Sequence, residues 1–236
     1  MTSSFAPQRM VLDNGLTVVH QCNPASPAVI ASLSIVAGAV LEPVEQGGLA
    51  TLTAAALRRG TTSRSKRDIG EILDYRGAHL GCSASRHGTS LVAKMRAVDA
   101  ADLLELMADC ARNPVFPSEE LEKLRGNRLT ALREDLDDPD TMASRGFREI
   151  LYPAGHPYAS PVRGTVETIE SLEVEQLHAF HAAHYAPSAA LLIVVGAMDW
   201  SETSALAQQH FGTWRGSDRG GYRGAQDEIP NVPVSA

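Results

Sequence analysis

The sequence predicts an α+β domain, and three observations carry that reading. Asn14-Gly15 stands between two short alternating runs, Met10 to Leu12 and Thr17 to Gln21. This pair suits the positive φ angles of a two-residue hairpin turn. Two further apolar runs, Ala28 to Val36 and Ala190 to Val195, have strand length. Between them lie longer stretches with helical spacing and recognisable caps.

The elements follow in order. Gln46 to Arg59 reads as a helix with Leu49, Leu52 and Ala56 recurring on one side. Ser65 is an N-cap with Asp68 completing a capping box, Ile69, Ile72 and Leu73 line one face, and Gly77 is the stop. Strands are expected over Ala78 to Arg86 and Ser90 to Arg96. Asp99 then caps a helix whose apolar stripe is Leu103, Leu104, Met107 and Cys110. Ser118 opens a long helix, with Glu119 and Glu120 in the first turn, where the helix dipole favours carboxylates. Asp137-Asp138-Pro139-Asp140 interrupts it. That turn lacks the glycine and terminal glutamate of a calcium loop, so it is read as a helix boundary. Helices are expected over Thr141 to Leu151, from Ser171 to before Pro187, and over Ser201 to Phe211. After Trp214, Gly, Arg, Ser, Asp and Pro dominate. The expected organisation is a tail (1–8), one domain (9–214), and a linker or tail (215–236).

Composition sets outer limits. With 44% hydrophobic and 21% charged residues, the 236-residue chain is ordinary for a globular protein with ample core. A net charge of -7 opposes nucleic-acid binding, which needs clustered Lys and Arg. Arg58-Arg59 and the Arg64 to Arg67 cluster are read as a solvated helix end and loop. Cys22, Cys82 and Cys110 are odd in number and form no CxxC pair, which suits a reducing compartment. No apolar leader core and no membrane-length apolar run is present, so the expectation is a cytoplasmic protein without a membrane partner.

The segment Gly48-Leu49-Ala50-Thr51-Leu52-Thr53-Ala54-Ala55-Ala56-Leu57-Arg58-Arg59-Gly60-Thr61 carries the sharpest information. It resembles the metal helix of the pitrilysin/insulinase/mitochondrial-processing-peptidase family of zinc metallopeptidases, written G-L-A-H-x-x-E-H-x-x-x-x-G-T. The resemblance extends over nearly the whole chain. Leu12 to Val19 matches the opening hairpin, Ala37 to Pro43 the turn into the metal helix, and Asn113 to Lys123 the start of the helix with the third ligand. His156-Pro157-Tyr158, Gly164, His184-Tyr185 and Val195-Gly196 follow in family order.

In that family two histidines on one helix face bind zinc, and the intervening glutamate activates water. On this chain the first histidine falls on Thr51, the glutamate on Ala54, the second histidine on Ala55, and the distal glutamate ligand on Ala131. Methyl groups neither ligate a metal nor take a proton, and a neutral hydroxyl is a poor zinc ligand. The resemblance therefore implies a family member without catalytic residues and without a zinc cofactor. It also implies a mostly antiparallel sheet with helices packed on one face, the first of two tandem domains, and a linker leading to the second.

Two functions follow from the resemblance. One is the silent subunit of a heterodimer, which encloses and aligns peptides for a homologous partner bearing HxxEH. The other is a structural or assembly module, as in the core proteins of a respiratory membrane complex. An active peptidase is opposed at four positions. In active relatives an edge strand holds the substrate peptide by strand addition, which here falls on Gly81, Cys82, Ser83, Ala84 and Ser85. Backbone pairing does not depend on metal chemistry, so extended peptides remain expected ligands.

Other candidates have plainer readings. His178, His181 and His184 fan over a helix and could pair on a metal, but no carboxylate stands by as a base. They are read as a half-exposed helix face. His156-Pro157-Tyr158 is read as a docking loop, and His20, His79 and His87 as scattered. Ser83 and Ser85 near His87 lack a nucleophile elbow and an oriented third group. Cys82 is read as a small buried apolar residue.

Overall fold

The structure is a computed structural model that describes residues 6–153 and 155–216. Its centre is a sheet of six strands: β1 (Gln8–Val11), β2 (Thr17–Cys22), β3 (Ala28–Ile35), β4 (His79–Ala84), β5 (Thr89–Arg96) and β6 (Ala190–Gly196). The order across the sheet is β1-β2-β6-β3-β5-β4. Only β2 and β6 run parallel; every other neighbouring pair is antiparallel. The expected α+β class, mostly antiparallel with helices on one side, is the observed one. The ordered domain begins slightly earlier than expected, because Gln8 already pairs with His20. The expected 215–236 linker lies almost wholly outside the described residues.

Eight helices complete the described fold: α1 (Leu49–Ala56), α2 (Lys66–Arg76), α3 (Ala100–Arg112), α4 (Ser118–Leu136), α5 (Pro139–Leu151), α6 (Val166–Ser171), α7 (Val174–His184) and α8 (Trp200–Phe211). Alternation along the strands decides the layering. Val29, Ala31, Leu33 and Ile35 of β3 and Leu91, Ala93 and Met95 of β5 are buried, as are Ala190, Leu192 and Val194 of β6. On this face α1 and α3 pack against β4 and β5, and α8 covers β2. The opposite face stays partly open, with Ile30 and Val195 more than a third exposed.

Several boundaries differ from the sequence reading for identifiable reasons. The helix expected from Gln46 starts at Leu49, because Gly48 adopts a left-handed φ of 94°. The helix expected from Ser171 starts at Val174, and a short helix that the sequence reading missed, α6, ends at Ser171. Thr165 caps α6 in a capping box with Thr168, and Glu173 with Gln176 starts α7. Asp99 stands before α3 but makes no side-chain cap. Its carboxylate is taken by Arg76 (2.8 Å) and Arg96 (2.7 Å), and two guanidinium partners outcompete a backbone N–H for it. Ser118 opens α4 as expected, with Pro117 in the N-cap position. Asp138 caps α5, and Pro139 sits in its first turn, so the acidic segment is a helix boundary.

The basic clusters are less solvated than expected. Arg59 pairs with Glu120 at 3.3 Å, and Arg64 clamps Glu105 at 2.7 Å and Asp109 at 2.9 Å, fixing the α1–α2 loop to α3 and α4.

Arg125 of α4 is buried and ties this layer together. Its guanidinium donates to the carbonyls of Ile169 (2.8 Å), Glu170 (2.7 Å) and Leu172 (2.6 Å), which end α6 and lead to α7. Those carbonyls have no intrahelical donor at a helix end. Arg125→Met is therefore expected to destabilise the fold by about 3 kcal/mol, because it strands buried acceptors. Denaturant unfolding measures this, and a loss within about 0.5 kcal/mol of zero would show that water replaces the guanidinium.

Candidate functional site

The degenerate helix α1 is held in place by contacts at its N-terminus. Gly47-Gly48 lies against the loop before α6. Gly164 has φ 77°, and a Cβ there would sit 2.3 Å from the Gly47 carbonyl oxygen. A Cβ on Gly48 would sit 2.8 Å from the Arg163 carbonyl oxygen. Two backbones thus approach at a distance that only glycine permits. Thr168 Oγ1 donates to the Gly47 carbonyl at 2.7 Å and fastens the contact.

Glu42 supplies the cap that α1 lacks from its own N-cap residue. One carboxylate oxygen accepts from the Gly48 N–H at 3.0 Å and the other from the Ala50 N–H at 2.5 Å. Burial pushes this carboxyl up to about 7, against the pull of the Ala50 and Gly48 donors and of the Arg86 guanidinium. Sequence reading registers Glu42 only as part of a turn motif. The signal that marks its role is the six-residue gap to a helix start without a side-chain cap.

Thr51, Ala54, Ala55 and Ala131 are the positions expected to match the family's zinc ligands and base. Thr51 is buried, and its hydroxyl donates to the Gly48 carbonyl at 2.9 Å. Ala54 is fully buried, while Ala55 and Ala131 are half-buried. α4, which carries Ala131, packs against α1. These residues do not fit a zinc ion: three offer methyl groups, and the fourth a hydroxyl already committed to backbone. Among the described residues no group of three or more His, Cys, Asp and Glu side chains is placed to hold a metal ion.

The sheet ends beside this helix. β4 is an edge strand, paired only with β5, and α1 packs against it. The Ser85 N–H donates to the Gly88 carbonyl at 2.8 Å and closes the β4–β5 hairpin. Antiparallel alternation then pairs Ser83 and Gly81 with β5 and turns the backbone of Ala84, Cys82 and Leu80 outward. Ser85, expected as part of the peptide-holding edge, is not on the open edge. Its N–H is used in the hairpin, and its carbonyl accepts from the Ala39 N–H at 3.1 Å.

The remaining candidates separate cleanly. His181 Nε2 is bonded to the Ala111 carbonyl at 2.9 Å, and burial holds its pKa below the ordinary histidine range. His178 packs edge-on to Phe116, and His184 lies 4.6 Å from the Phe180 ring centre. His156-Pro157-Tyr158 docks against the β4–β5 turn. Tyr158 Oη bonds His87 Nε2 at 2.8 Å, and Arg86 reaches the Pro157 and Ser160 carbonyls. His87 therefore does not activate Ser83 or Ser85. His20 is buried against the Met198 carbonyl, and burial pushes the Cys82 thiol up to about 12, far from a reactive thiolate.

The chain matches the family described as insulinase (peptidase family M16) over residues 17–152, and the one described as peptidase M16 inactive domain over residues 171–235. A protein described as an uncharacterized zinc protease of Mycobacterium tuberculosis is 26% identical over 89% of this chain and 48% of its own length. Mitochondrial cytochrome b-c1 complex subunit 1 of Caenorhabditis elegans is 28% identical over 88% of this chain and 44% of its own. The chain spans about half the length of the curated relatives it matches. Among solved structures, a protease from Helicobacter pylori superposes with a TM-score of 0.84 at 20% identity, covering 97% of this chain and 54% of that one. A peptidase M16 inactive domain from Pseudomonas fluorescens gives 0.81 at 24%, covering 98% and 52%.

Two outcomes test this site. Because the carboxyl of Glu42 is raised in the fold, its contribution to stability is complete below the ordinary carboxylate range and is lost as pH rises through about 7. Between about pH 4 and about pH 8 the wild type is expected to lose about 2 kcal/mol more than Glu42→Gln, discounted for its partial exposure. Parallel pH profiles of the two in denaturant melts would contradict this. Gly164→Ala is expected to cost at least about 2 kcal/mol, since it meets both a left-handed φ and the Gly47 backbone. A neutral result would mean that the two loops separate freely.

Proposed function

The chain belongs to the insulinase (peptidase M16) family, and we propose that it is a non-catalytic member. In this reading it helps to enclose and align extended peptides for a homologous subunit that carries HxxEH. The observation that carries the reading is the juxtaposition of α1 and β4. α1 offers no zinc ligand and no base at Thr51, Ala54 or Ala55, and α4 offers none at Ala131. The strand beside it keeps outward backbone groups at Leu80, Cys82 and Ala84. A segment added there would gain hydrogen bonds without any side-chain chemistry.

The retained Gly-Leu-Ala frame is a folding requirement, because Gly48 sits in a backbone contact and Leu49 and Ala50 are buried. The frame therefore supports family membership, and the open edge supports the peptide role. Zinc has no part in this reading. Among the described residues no helix is long and apolar enough to cross a membrane; a cytoplasmic location stays part of the proposal, resting on cysteine usage.

A second reading, a structural module without a peptidase role, is favoured by the similarity to the cytochrome b-c1 subunit. Affinity capture of the native protein separates the two. A stoichiometric partner bearing HxxEH and the distal glutamate is expected; a partner set without any such protein favours the structural module. The edge itself is tested by Ala84→Pro, which removes an outward N–H and spares the β5 ladder. A labelled extended peptide is expected to bind the wild type and to lose at least about tenfold in affinity with the variant, by fluorescence anisotropy. Equal binding would remove β4 from the account.

A further inference from the structure

A cavity that reaches the β4–β5 turn through Arg86 has a composition that the peptide reading does not use. It measures about 440 Å³ and lies between the C-terminal part of α4, α5 and the loop leading into α6. That volume falls within the roughly 300–1,000 Å³ of ligand pockets. One part of the wall is apolar, with Leu132, Met142, Val162 and Val166. The other brings Arg86, Arg145, Arg148 and Arg163 together against two carboxylates, Asp135 and Glu167.

The charges do not balance. Arg163 is paired with Asp135 at 3.3 Å, and Arg145 with Glu149 at 2.9 Å. Glu167 is fully solvated and nearest in charge to Arg145. Arg86 is bonded to the Pro157 and Ser160 carbonyls, which satisfy N–H groups but leave the positive charge. Glu42, a further carboxylate in range of Arg86, carries only part of a charge at neutral pH, because burial pushes it up to about 7. Arg148 has no side-chain partner among the described residues, and its Nε is shut off from solvent. Burial holds Arg86 below its ordinary pKa, and the like charge of Arg148 lowers it further, so the two guanidinium groups sit close enough to oppose each other. Nε itself lies out of a ligand's reach, but the terminal nitrogens of Arg148 have no acceptor among the described residues and are the donors an anion in the cavity would meet.

We propose that this cavity binds the carboxylate of an apolar organic acid, with the free C-terminus of a peptide ending in an aliphatic residue as the intended class. A planar carboxylate accepts two parallel bonds from a guanidinium fork, and Arg148 offers an unused fork. The aliphatic side chain would cover the wall of Leu132, Met142 and Val166, which a compact inorganic anion would leave wet. The site does not require the silent-subunit reading, because it needs neither a partner nor β4.

Isothermal titration of the full chain with N-acetyl-leucine and N-acetyl-leucinamide tests it. The acid is expected to saturate one site, and the amide to bind at least about tenfold more weakly. Arg148→Gln is expected to weaken the acid at least about tenfold while the thermal melt stays unchanged, since α5 buries none of its residues. Met142→Glu, which sets a carboxylate on the apolar wall, is expected to do the same. Equal affinity for acid and amide, no saturable binding of the acid, or full competition by equimolar inorganic phosphate would overturn the proposal. So would unaltered binding in both variants.

Discussion

The close approach of Gly47-Gly48 to Gly164 is the constraint on which the rest depends. It brings the loop before α1 against the loop before α6, at a separation that admits no Cβ. Thr168 bonds across the contact, and Glu42 caps the helix that leaves it. Once α1 is aimed this way, its apolar residues fill the layer between the sheet and α4, and Arg125 fixes α4 to the end of α6. Each piece satisfies backbone groups that would otherwise be buried without partners.

This constraint separates architecture from chemistry. In a catalytic member of the family the same helix must pack and must also carry ligands. Here it only packs: Thr51 turns its hydroxyl back to Gly48, and Ala54 disappears into the core. Loss of the ligands leaves the contact at the helix N-terminus untouched, so the fold and the neighbouring sheet edge survive it. In the proposed reading, a chain of this kind retains what backbone geometry can do and gives up what side chains did.

Much of the fold was legible in the sequence because its signals are local. Asn14-Gly15 marked the first hairpin, the Ser65–Asp68 box marked α2, and strand alternation marked the core face. Family membership was legible because a motif fixes the spacing of the Gly48 to Thr61 segment. What escaped depends on pairs distant in sequence. Arg125 reads as one more charge on a polar helix until Ile169 to Leu172 are placed beside it. Arg64 reads as solvated until Asp109 is found within 2.9 Å. Asp99 looks like a cap, but Arg76 and Arg96 claim it. Ser85 looks like strand, yet the hairpin and Ala39 use its backbone. The unpaired Arg148 is of the same kind, since nothing near it in the chain says that its partners are missing.

The measurement that tests the central claim most directly is the zinc content of the purified chain after dialysis against zinc, read by elemental mass spectrometry beside a peptide-cleavage assay. The account requires substoichiometric zinc and no cleavage that a chelator abolishes. One retained equivalent of zinc with chelator-sensitive cleavage by this chain alone would contradict it, and would mean that residues other than those at positions 51, 55 and 131 bind the metal and a base other than position 54 serves it.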